Sequence, residues 1–319
     1  MARVIRESDV RALLTMEEAL GAIEGTFRQQ GRGELQNVER HRLVSRDSTF
    51  NVMFSANDGE HLAGAKLYTV TGEGAHFLVT LFDSQDGSLK ALLEADTLGQ
   101  IRTGAASGVA TKHLAREDAH QVAIFGAGWQ AASQLKAMTL VRPIDLVQVI
   151  GRDQGRRDAF VASMAQALGI RVEAADDPGR AVAEADIVIT ATTARTPVLK
   201  GEWLRPGTHL NLIGSNHPSR QEADTTVWSR TDLVTVDHLA TAQVESGDLL
   251  PAIAAGVLSW EDVHELGEIV VGTRPGRTAA DQITAFESHG MAAEDVSVAC
   301  RCLALARAQG VGEDLEFLG

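Results

Sequence analysis

The sequence predicts an α/β protein in which a doubly wound parallel sheet is joined to a smaller α+β domain. An apolar run ends in a glycine-rich turn at 122–134, and five apolar runs follow it at spacings that leave room for helices. Earlier runs show the pattern of antiparallel strands. A chain of 319 residues suits two domains.

The first domain begins with two helical patterns and continues into strands. The second helix opens at Thr15, with Glu18 three residues later, which matches a capping box. Alternating or apolar runs follow at 50–54, 62–71, 76–83 and 89–93. These runs predict a mostly antiparallel sheet.

Basic residues interrupt this domain. Lys66 lies in mid-strand, where it either points into a site that needs a cation or is an exposed edge lysine. Arg40 and Arg42 share one face if their segment is a strand, with a surface pair as the alternative. A helix is predicted from a cap at Thr97 to about residue 116. Arg102 would project from its first turn toward an anion such as a carboxylate, or lie on the surface.

The glycine-rich turn predicts a dinucleotide site. Gly126 permits a sharp turn from strand to helix, Gly128 lets the backbone approach a pyrophosphate, and Ala131 takes the third small position. The phosphates would bind at the helix N-terminus. An ordinary tight turn is the alternative, and the strands around it favour the nucleotide.

The five later runs lie at 146–150, 170–173, 186–190, 209–213 and 233–236. They are rich in Val, Ile and Leu, as is typical of parallel strands covered on both faces. An acidic residue after the second strand would hold a ribose 2′-hydroxyl, whereas a basic one accommodates a 2′-phosphate. Arg152 occupies that position and Asp153 follows it, with Arg156 and Arg157 next. We therefore predict NADP, with NAD as the alternative.

Composition favours small-molecule chemistry. The chain is 44% hydrophobic and carries a net charge of −14, which disfavours nucleic-acid and membrane partners. Its charged start lacks an apolar signal segment, so we expect a cytoplasmic protein. Cys300 and Cys302 do not form a disulfide framework, and no metal site is predicted from the scattered histidines.

Several motifs together are more specific than the glycine turn alone. They are Gly-Ala-Lys at 64–66, Gln-Ile-Arg-Thr-Gly-Ala-Ala at 100–106, Gly-Thr-His-Leu-Asn-Leu-Ile-Gly at 207–214, Glu-Leu-Gly at 265–267 and Thr-Ala-Phe-Glu-Ser-His-Gly at 284–290. With them the chain resembles the ornithine cyclodeaminase and mu-crystallin family over nearly its whole length. The resemblance implies a homodimer. Its dimerisation and substrate domain would comprise 1–116 and 288–319, with a dinucleotide-binding domain at 117–287.

The resemblance also implies site residues. Arg40, Lys66 and Arg102 would hold a substrate carboxylate beside Thr103, and Arg42 is the alternative to Arg40. A turn at 288–290 would lie near the nicotinamide. The implied cofactor contacts are Gly126, Ala127, Gly128, Trp129, Gln130, Arg152, Asp153, Thr192, Gly214, Ser288 and Gly290.

One departure from the family pattern bears on the reaction. The resemblance implies an aspartate, in cyclodeaminases and in some amino-acid dehydrogenases of this family, where this chain has Asn216. An amide can orient a substrate nitrogen, but it cannot act as a general base. The cyclodeaminase pattern also offers a glutamate where this chain reads Asn-Val-Met at 51–53. Hydride transfer is therefore favoured over ornithine cyclisation. We assign the catalytic roles to Lys66, Arg102 and Asn216.

These observations predict an NAD(P)H-dependent oxidoreductase that reduces imines of 2-oxo acids or, in reverse, acts as an amino-acid dehydrogenase. Its partner would be a small carboxylate-bearing imine or amino acid. The alternatives are an ornithine cyclodeaminase and a non-catalytic, crystallin-like protein that binds NADPH.

Four acidic residues are interpreted as caps and surface or interface groups: Glu222, Asp224, Glu245 and Glu268.

Overall fold

The structure, a computed structural model, describes residues 1–316. It confirms the α/β fold class. The chain forms two compact units. Residues Met1–Arg102 with the chain from Met291 onward make the terminal unit, and Thr103–Gly290 make the central unit. The sequence placed the domain boundaries at 116/117 and 287/288, and residues 317–319 of its last segment lie outside the described residues.

The strands and helices follow one another along the described chain. The strands are β1 Ala2–Ile5, β2 Leu35–Val44, β3 Ser48–Asn57, β4 Leu62–Thr71, β5 Ala75–Asp83, β6 Leu89–Glu94, β7 Gln121–Phe125, β8 Leu146–Ile150, β9 Arg171–Ala174, β10 Ile187–Thr190, β11 His209–Leu212, β12 Leu233–Val236, β13 Val263–Glu265, β14 Thr284–Glu287 and β15 Glu313–Leu315. The α-helices are α1 Glu7–Leu13, α2 Met16–Gly31, α3 Asp96–Leu114, α4 Trp129–Val141, α5 Gln154–Leu168, α6 Pro178–Glu184, α7 Thr225–Arg230, α8 Leu239–Glu245, α9 Leu249–Ala254, α10 Leu266–Val270 and α11 Ala292–Gln309.

The terminal unit is built on a sheet in the order β15-β1-β6-β5-β4-β3-β2. Strands β2 to β6 form an antiparallel meander, whereas β1 pairs in parallel with β6. Helix α11 packs against this sheet. A Cβ on Gly64 would lie 2.7 Å from a methyl group of Val296 in α11, so only glycine permits this close approach.

The central unit is built on a parallel sheet in the order β13-β12-β14-β11-β10-β7-β8-β9. The five strands predicted here are present, each within one residue of its expected bounds. The chain passes from β7 outward to β8 and β9, then returns to β10 on the other side of β7. Ligands bind in doubly wound sheets where the strand order reverses in this way, and here that point lies between β7 and β10.

The predicted start of α3 is wrong. The helix begins at Asp96, so Thr97 is a helical residue and Arg102 lies in the second turn. The carboxylate of Glu7 in α1 accepts hydrogen bonds from the N–H groups of Asp96, at 3.2 Å, and Thr97, at 3.0 Å. A side chain distant in sequence therefore binds the free N–H groups that a local cap was expected to bind.

Arg142 binds carbonyl groups in the last turn of α3 and in the two residues that follow it. Arg142 donates hydrogen bonds to the carbonyl oxygens of Thr111, Lys112, Ala115 and Arg116 at 2.7 to 2.9 Å. The last carbonyl groups of a helix have no partner within it, and this guanidinium binds two of them, in Thr111 and Lys112, together with the two carbonyl groups just beyond the helix. No helix among residues 1–316 is both long and apolar enough to span a membrane.

We predict that Arg142→Met lowers the stability of the fold by about 2 to 4 kcal/mol, because several part-buried carbonyl oxygens lose a charged donor. The melting temperature measures this loss. Arg180→Met is the control, because Arg180 pairs with Glu184 on an exposed helix surface and its loss should cost about 0.5 kcal/mol or less. Equal melting temperatures for the two variants would contradict the capping role.

Candidate active site

The glycine turn after β7 meets the loop after β10. Gly126 has a φ of +112°, and a Cβ there would lie 2.5 Å from the carbonyl oxygen of Ala191. Gly128 precedes α4, no side chain caps this helix, and a Cβ on Gly128 would meet nothing within 4 Å. Open space at the N-terminus of a helix that no side chain caps fits the pyrophosphate of a dinucleotide.

A cavity of about 1210 Å³ lies at this point of the central unit. Six of the predicted cofactor residues line it: Gly126, Ala127, Gly128, Arg152, Asp153 and Thr192. Trp129 and Gln130 begin α4, directly after the glycine turn. Gly214 comes two residues after β11, and Ser288 and Gly290 follow β14. All these positions lie at the carboxyl edge of one parallel sheet.

The basic residues after β8 differ in their contacts. Asp153 caps α5, and its Oδ1 accepts the N–H of Arg156 at 2.9 Å. Arg157 is buried and its Nη1 lies 2.7 Å from Asp176 Oδ1. Arg152 and Arg156 are exposed and line the cavity. The exposed guanidinium groups of these two residues can therefore meet a bound anion.

Glu222 is fully buried, so its interpretation as a cap or surface group is wrong. Its Oε1 accepts hydrogen bonds from the N–H and the hydroxyl of Thr192, at 2.7 and 2.6 Å. Its Oε2 accepts the hydroxyl of Thr190 and the N–H of Gly214, both at 2.7 Å. One carboxylate thus joins the loops that follow β10 and β11.

The other three acidic residues have different environments. Asp224 caps α7, as expected, and its Oδ1 accepts the N–H of Val227 at 3.1 Å. Glu268 is part-exposed and pairs with Arg274 at 3.0 Å. Glu245 is buried within the central unit, so it is not a surface group of that unit.

The predicted turn after β14 is held by Asp237. Its Oδ2 accepts the hydroxyl of Ser288 at 3.0 Å and the N–H groups of His289 and Gly290 at 2.8 and 2.6 Å. The buried ring of His289 lies between Asp237, at 3.6 Å, and Glu287, at 3.2 Å. Burial favours the neutral ring, but the two carboxylates outweigh it and raise the pKa of His289 to about 10.

Two further predicted residues of the central unit accept hydrogen bonds from neighbouring side chains. Asn216 Oδ1 accepts a bond from Arg220 at 3.0 Å, which fixes the orientation of the amide. The carbonyl oxygen of Thr103 accepts a bond from the buried amide of Gln134 at 3.2 Å. The buried Thr103 directly follows Arg102 in α3.

The terminal unit contains a buried cluster of cations. The Lys66 ammonium lies 2.7 Å from Asp295 Oδ1, and Arg102 Nε lies 3.2 Å from the same oxygen. Arg102 Nη1 lies 2.5 Å from Glu294 Oε2. Lys66 and Arg102 are 4% and 7% exposed, so the alternatives of an edge lysine and a surface arginine are wrong.

Sequence reasoning missed both acids of this cluster. Glu294 and Asp295 occupy the first turn of α11 and are completely buried. Acidic residues are common in a first helical turn because they interact with the helix dipole, so their sequence position gave no sign of ion pairing. The only available signal was two adjacent acids before the apolar positions of this helix.

Burial and charge set the protonation of the cluster. Burial, together with the charge of Arg102, lowers the pKa of Lys66 to about 8, although Asp295 opposes the shift. The rings of Phe77 and Tyr68 lie 5.1 and 5.9 Å from its ammonium. Burial alone would raise the pKa of Asp295, but Arg102 and Lys66 hold it below its ordinary value.

Arg40 lies close to this cluster. Its Nε is 3.3 Å from the sulfur of Met53, which faces Lys66 across the β3–β4 pair. The charge of Arg40 also contributes to the lowered pKa of Lys66, after burial and Arg102. Arg42 instead faces Asn51 in the β2–β3 pair. Arg40, Lys66 and Arg102 with two carboxylates leave one formal positive charge, which matches one carboxylate ligand.

The sequence matches the ornithine cyclodeaminase/mu-crystallin family over residues 2–306. The chain belongs to this family. A Delta(1)-pyrroline-2-carboxylate reductase of Bacillus cereus is 37% identical over 98% of this chain and 99% of its own length. The predicted family membership is thus confirmed.

Two solved structures of this family are closely similar to the whole chain. Delta(1)-pyrroline-2-carboxylate reductase of Thermococcus litoralis, in complex with NADH and L-proline, has a TM-score of 0.93 and 32% identity over 98% of this chain and 100% of its own. An archaeal alanine dehydrogenase dimer with bound NAD has a TM-score of 0.93 and 30% identity over 99% of each chain. The prediction of an oxidoreductase of C=N or CH–NH groups agrees with these relatives.

Proposed function

We propose that this chain is an NAD(P)H-dependent reductase of imines derived from small 2-oxo acids, and that in reverse it oxidises the corresponding amino or imino acid. The main observation behind this proposal is the cluster in which buried Lys66 and Arg102 pair with two carboxylates and Arg40 lies close by. The dinucleotide cavity of the central unit and the activities named for the relatives support the same reaction class.

A bound reduced nicotinamide would supply the hydride for the imine carbon. Arg40, Lys66 and Arg102 would bind the substrate carboxylate. Glu294 and Asp295 hold two of these cations in place before the substrate arrives, so little ordering is needed on binding. Asn216, whose amide is held by Arg220, would orient the substrate nitrogen.

We further propose a preference for NADP. Arg152 and Arg156 line the cavity with exposed guanidinium groups, beside Asp153, whose Oδ1 accepts a helix N–H. Guanidinium groups bind phosphate in a bidentate geometry. NAD is the alternative, and a comparison of the two cofactors decides between them.

A homodimer is also proposed. Strands β2 to β4 of the terminal unit carry exposed apolar side chains, as a surface buried by a second copy would. They are Leu43, Val44, Phe50, Phe54 and Val70. The related archaeal alanine dehydrogenase is described as a dimer.

The cytoplasmic location and the lack of nucleic-acid and membrane partners stay predictions.

The reaction is tested with purified protein, NADPH or NADH, and a panel of pyruvate with methylamine and the cyclic imines of lysine and ornithine. We expect loss of absorbance at the reduced nicotinamide band. Ammonia release from ornithine at constant absorbance would instead show cyclodeamination. Nucleotide binding without turnover across the panel would show a binding protein.

We predict that Arg102→Met or Lys66→Met raises the KM for the imine by about 30-fold or more, because a buried charged partner of the carboxylate is lost. The dissociation constant for the nucleotide should change by about twofold or less. Steady-state kinetics and nucleotide fluorescence measure the two effects. Arg301→Met, which removes a part-exposed pair with Glu18, is the control. Equal loss of nucleotide and imine binding would reject the assigned role.

The pH dependence of kcat/KM should decline above about pH 8, where Lys66 loses its proton and the cluster loses a positive charge. Lys66→Arg keeps the charge at all these pH values, so its residual activity should show only the decline that comes from the imine. Deprotonation of the imine itself affects both proteins alike. Identical profiles would mean that Lys66 does not titrate in the free enzyme over this range.

For the cofactor, the double substitution Arg152→Ala and Arg156→Ala should raise the KM for NADPH by about tenfold, because charge-assisted bonds to the 2′-phosphate are lost. The KM for NADH should change by about twofold or less. Arg180→Ala, an exposed arginine on α6 paired with Glu184, is the matched control. A wild-type preference for NADH that the double substitution leaves unchanged would favour NAD.

A further inference from the structure

We infer that Glu222 is a positioning residue for the nucleotide site: it fixes the loops after β10 and β11 and so sets the wall that faces the glycine turn. This inference rests on the proposed nucleotide-dependent function. Glu222 does not line the cavity as Thr192 does, and it acts through Thr192 and Gly214.

The bonds of Glu222 require a side chain with two acceptor oxygens. Each of its oxygens accepts one main-chain N–H, from Thr192 on Oε1 and from Gly214 on Oε2. A glutamine of the same length would present an NH₂ group to one of these two N–H groups. Because the site is fully buried, water cannot easily replace the lost acceptor, and that loop would lose its attachment.

The two loops are also in tight contact with each other and with the glycine turn. A Cβ on Gly214 would lie 2.2 Å from the carbonyl oxygen of Thr192 and 2.6 Å from the Glu222 carboxyl carbon. A Cβ on Gly126 would lie 3.5 Å from a methyl group of Thr192. A displacement of the Thr192 loop would therefore change the shape of the cavity wall at the strand-order reversal.

The backbone of Glu222 is itself fixed. Its N–H and that of Ala223 donate to Asp248 Oδ1, at 2.8 and 2.9 Å, and Asp248 is fully buried. The carboxylate thus projects from an anchored segment. This arrangement holds the two loops in place without any contribution from a bound nucleotide.

The test compares Glu222→Gln with Asp224→Asn. Asp224 lies two residues away, and its carboxylate also binds main-chain N–H groups, those of Val227 and Gly201. We expect Glu222→Gln to lower the melting temperature. Asp224→Asn should change it little, because both N–H groups donate to Asp224 Oδ1, which the asparagine amide oxygen can replace. Only Glu222→Gln should raise the dissociation constant for the reduced nucleotide, by about tenfold, with the imine KM at saturating nucleotide little changed.

Equal nucleotide affinity in Glu222→Gln and wild type, or an equal loss in Asp224→Asn, would overturn the positioning role. Failure of the wild type to bind either reduced nucleotide would instead reject the proposed function. If Glu222→Gln does not fold, amide hydrogen exchange of the wild type replaces it. The Thr192 and Gly214 amides should be protected without nucleotide, and protection that appears only on nucleotide addition would contradict the inference.

Discussion

Asp295 accepts contacts from two buried cations, and this arrangement determines what the terminal unit can hold. It joins Lys66 in β4 and Arg102 in α3 to the first turn of α11, so it ties α11 to the sheet of the terminal unit. Buried charges are stable only when they are paired, and the loss of one partner leaves the others uncompensated. Burial of Lys66 and Arg102 therefore depends on the two carboxylates of Glu294 and Asp295. Since they leave one positive charge when Arg40 is included, the same arrangement that stabilises the unit also suits a single carboxylate.

The central unit uses buried carboxylates differently. Glu222 and Asp237 accept main-chain N–H groups from loops at the carboxyl edge of the sheet, rather than pairing only with cations. Loops carry the functional groups of doubly wound proteins but have few regular hydrogen bonds of their own. An anchored carboxylate with two oxygens can hold two such segments at a defined separation. In both units, therefore, acids that need not touch a ligand determine where the ligand-facing groups lie.

The sequence was sufficient for the features that depend on local patterns. Parallel strands such as β8 and β12 were found because fully buried strands are continuous in branched apolar residues, and the glycine turn was found because a sharp strand-to-helix turn requires Gly126. The partners of buried charges could not be found in this way. Glu7 binds the start of α3 from 89 positions away along the chain, and Lys66 meets Asp295 across 229 positions. Only the fold brings these groups together, and therefore a local cap at Thr97 was predicted in error.

The distribution of acids also bears on the choice between hydride transfer and cyclisation. Cyclisation needs a general base that acts on water or on an amino group. A carboxylate that already accepts several hydrogen bonds or ion pairs is a weaker base. Asp295 is held by Lys66 and Arg102, and Asp237 by a turn and an imidazole ring. Asn216, at the position where the resemblance implies an aspartate in cyclodeaminases, has no useful basicity. Reduction of an imine needs orientation and a positive environment more than it needs a base. Among the residues that the structure describes, the cation cluster and the anchored loops provide those two conditions.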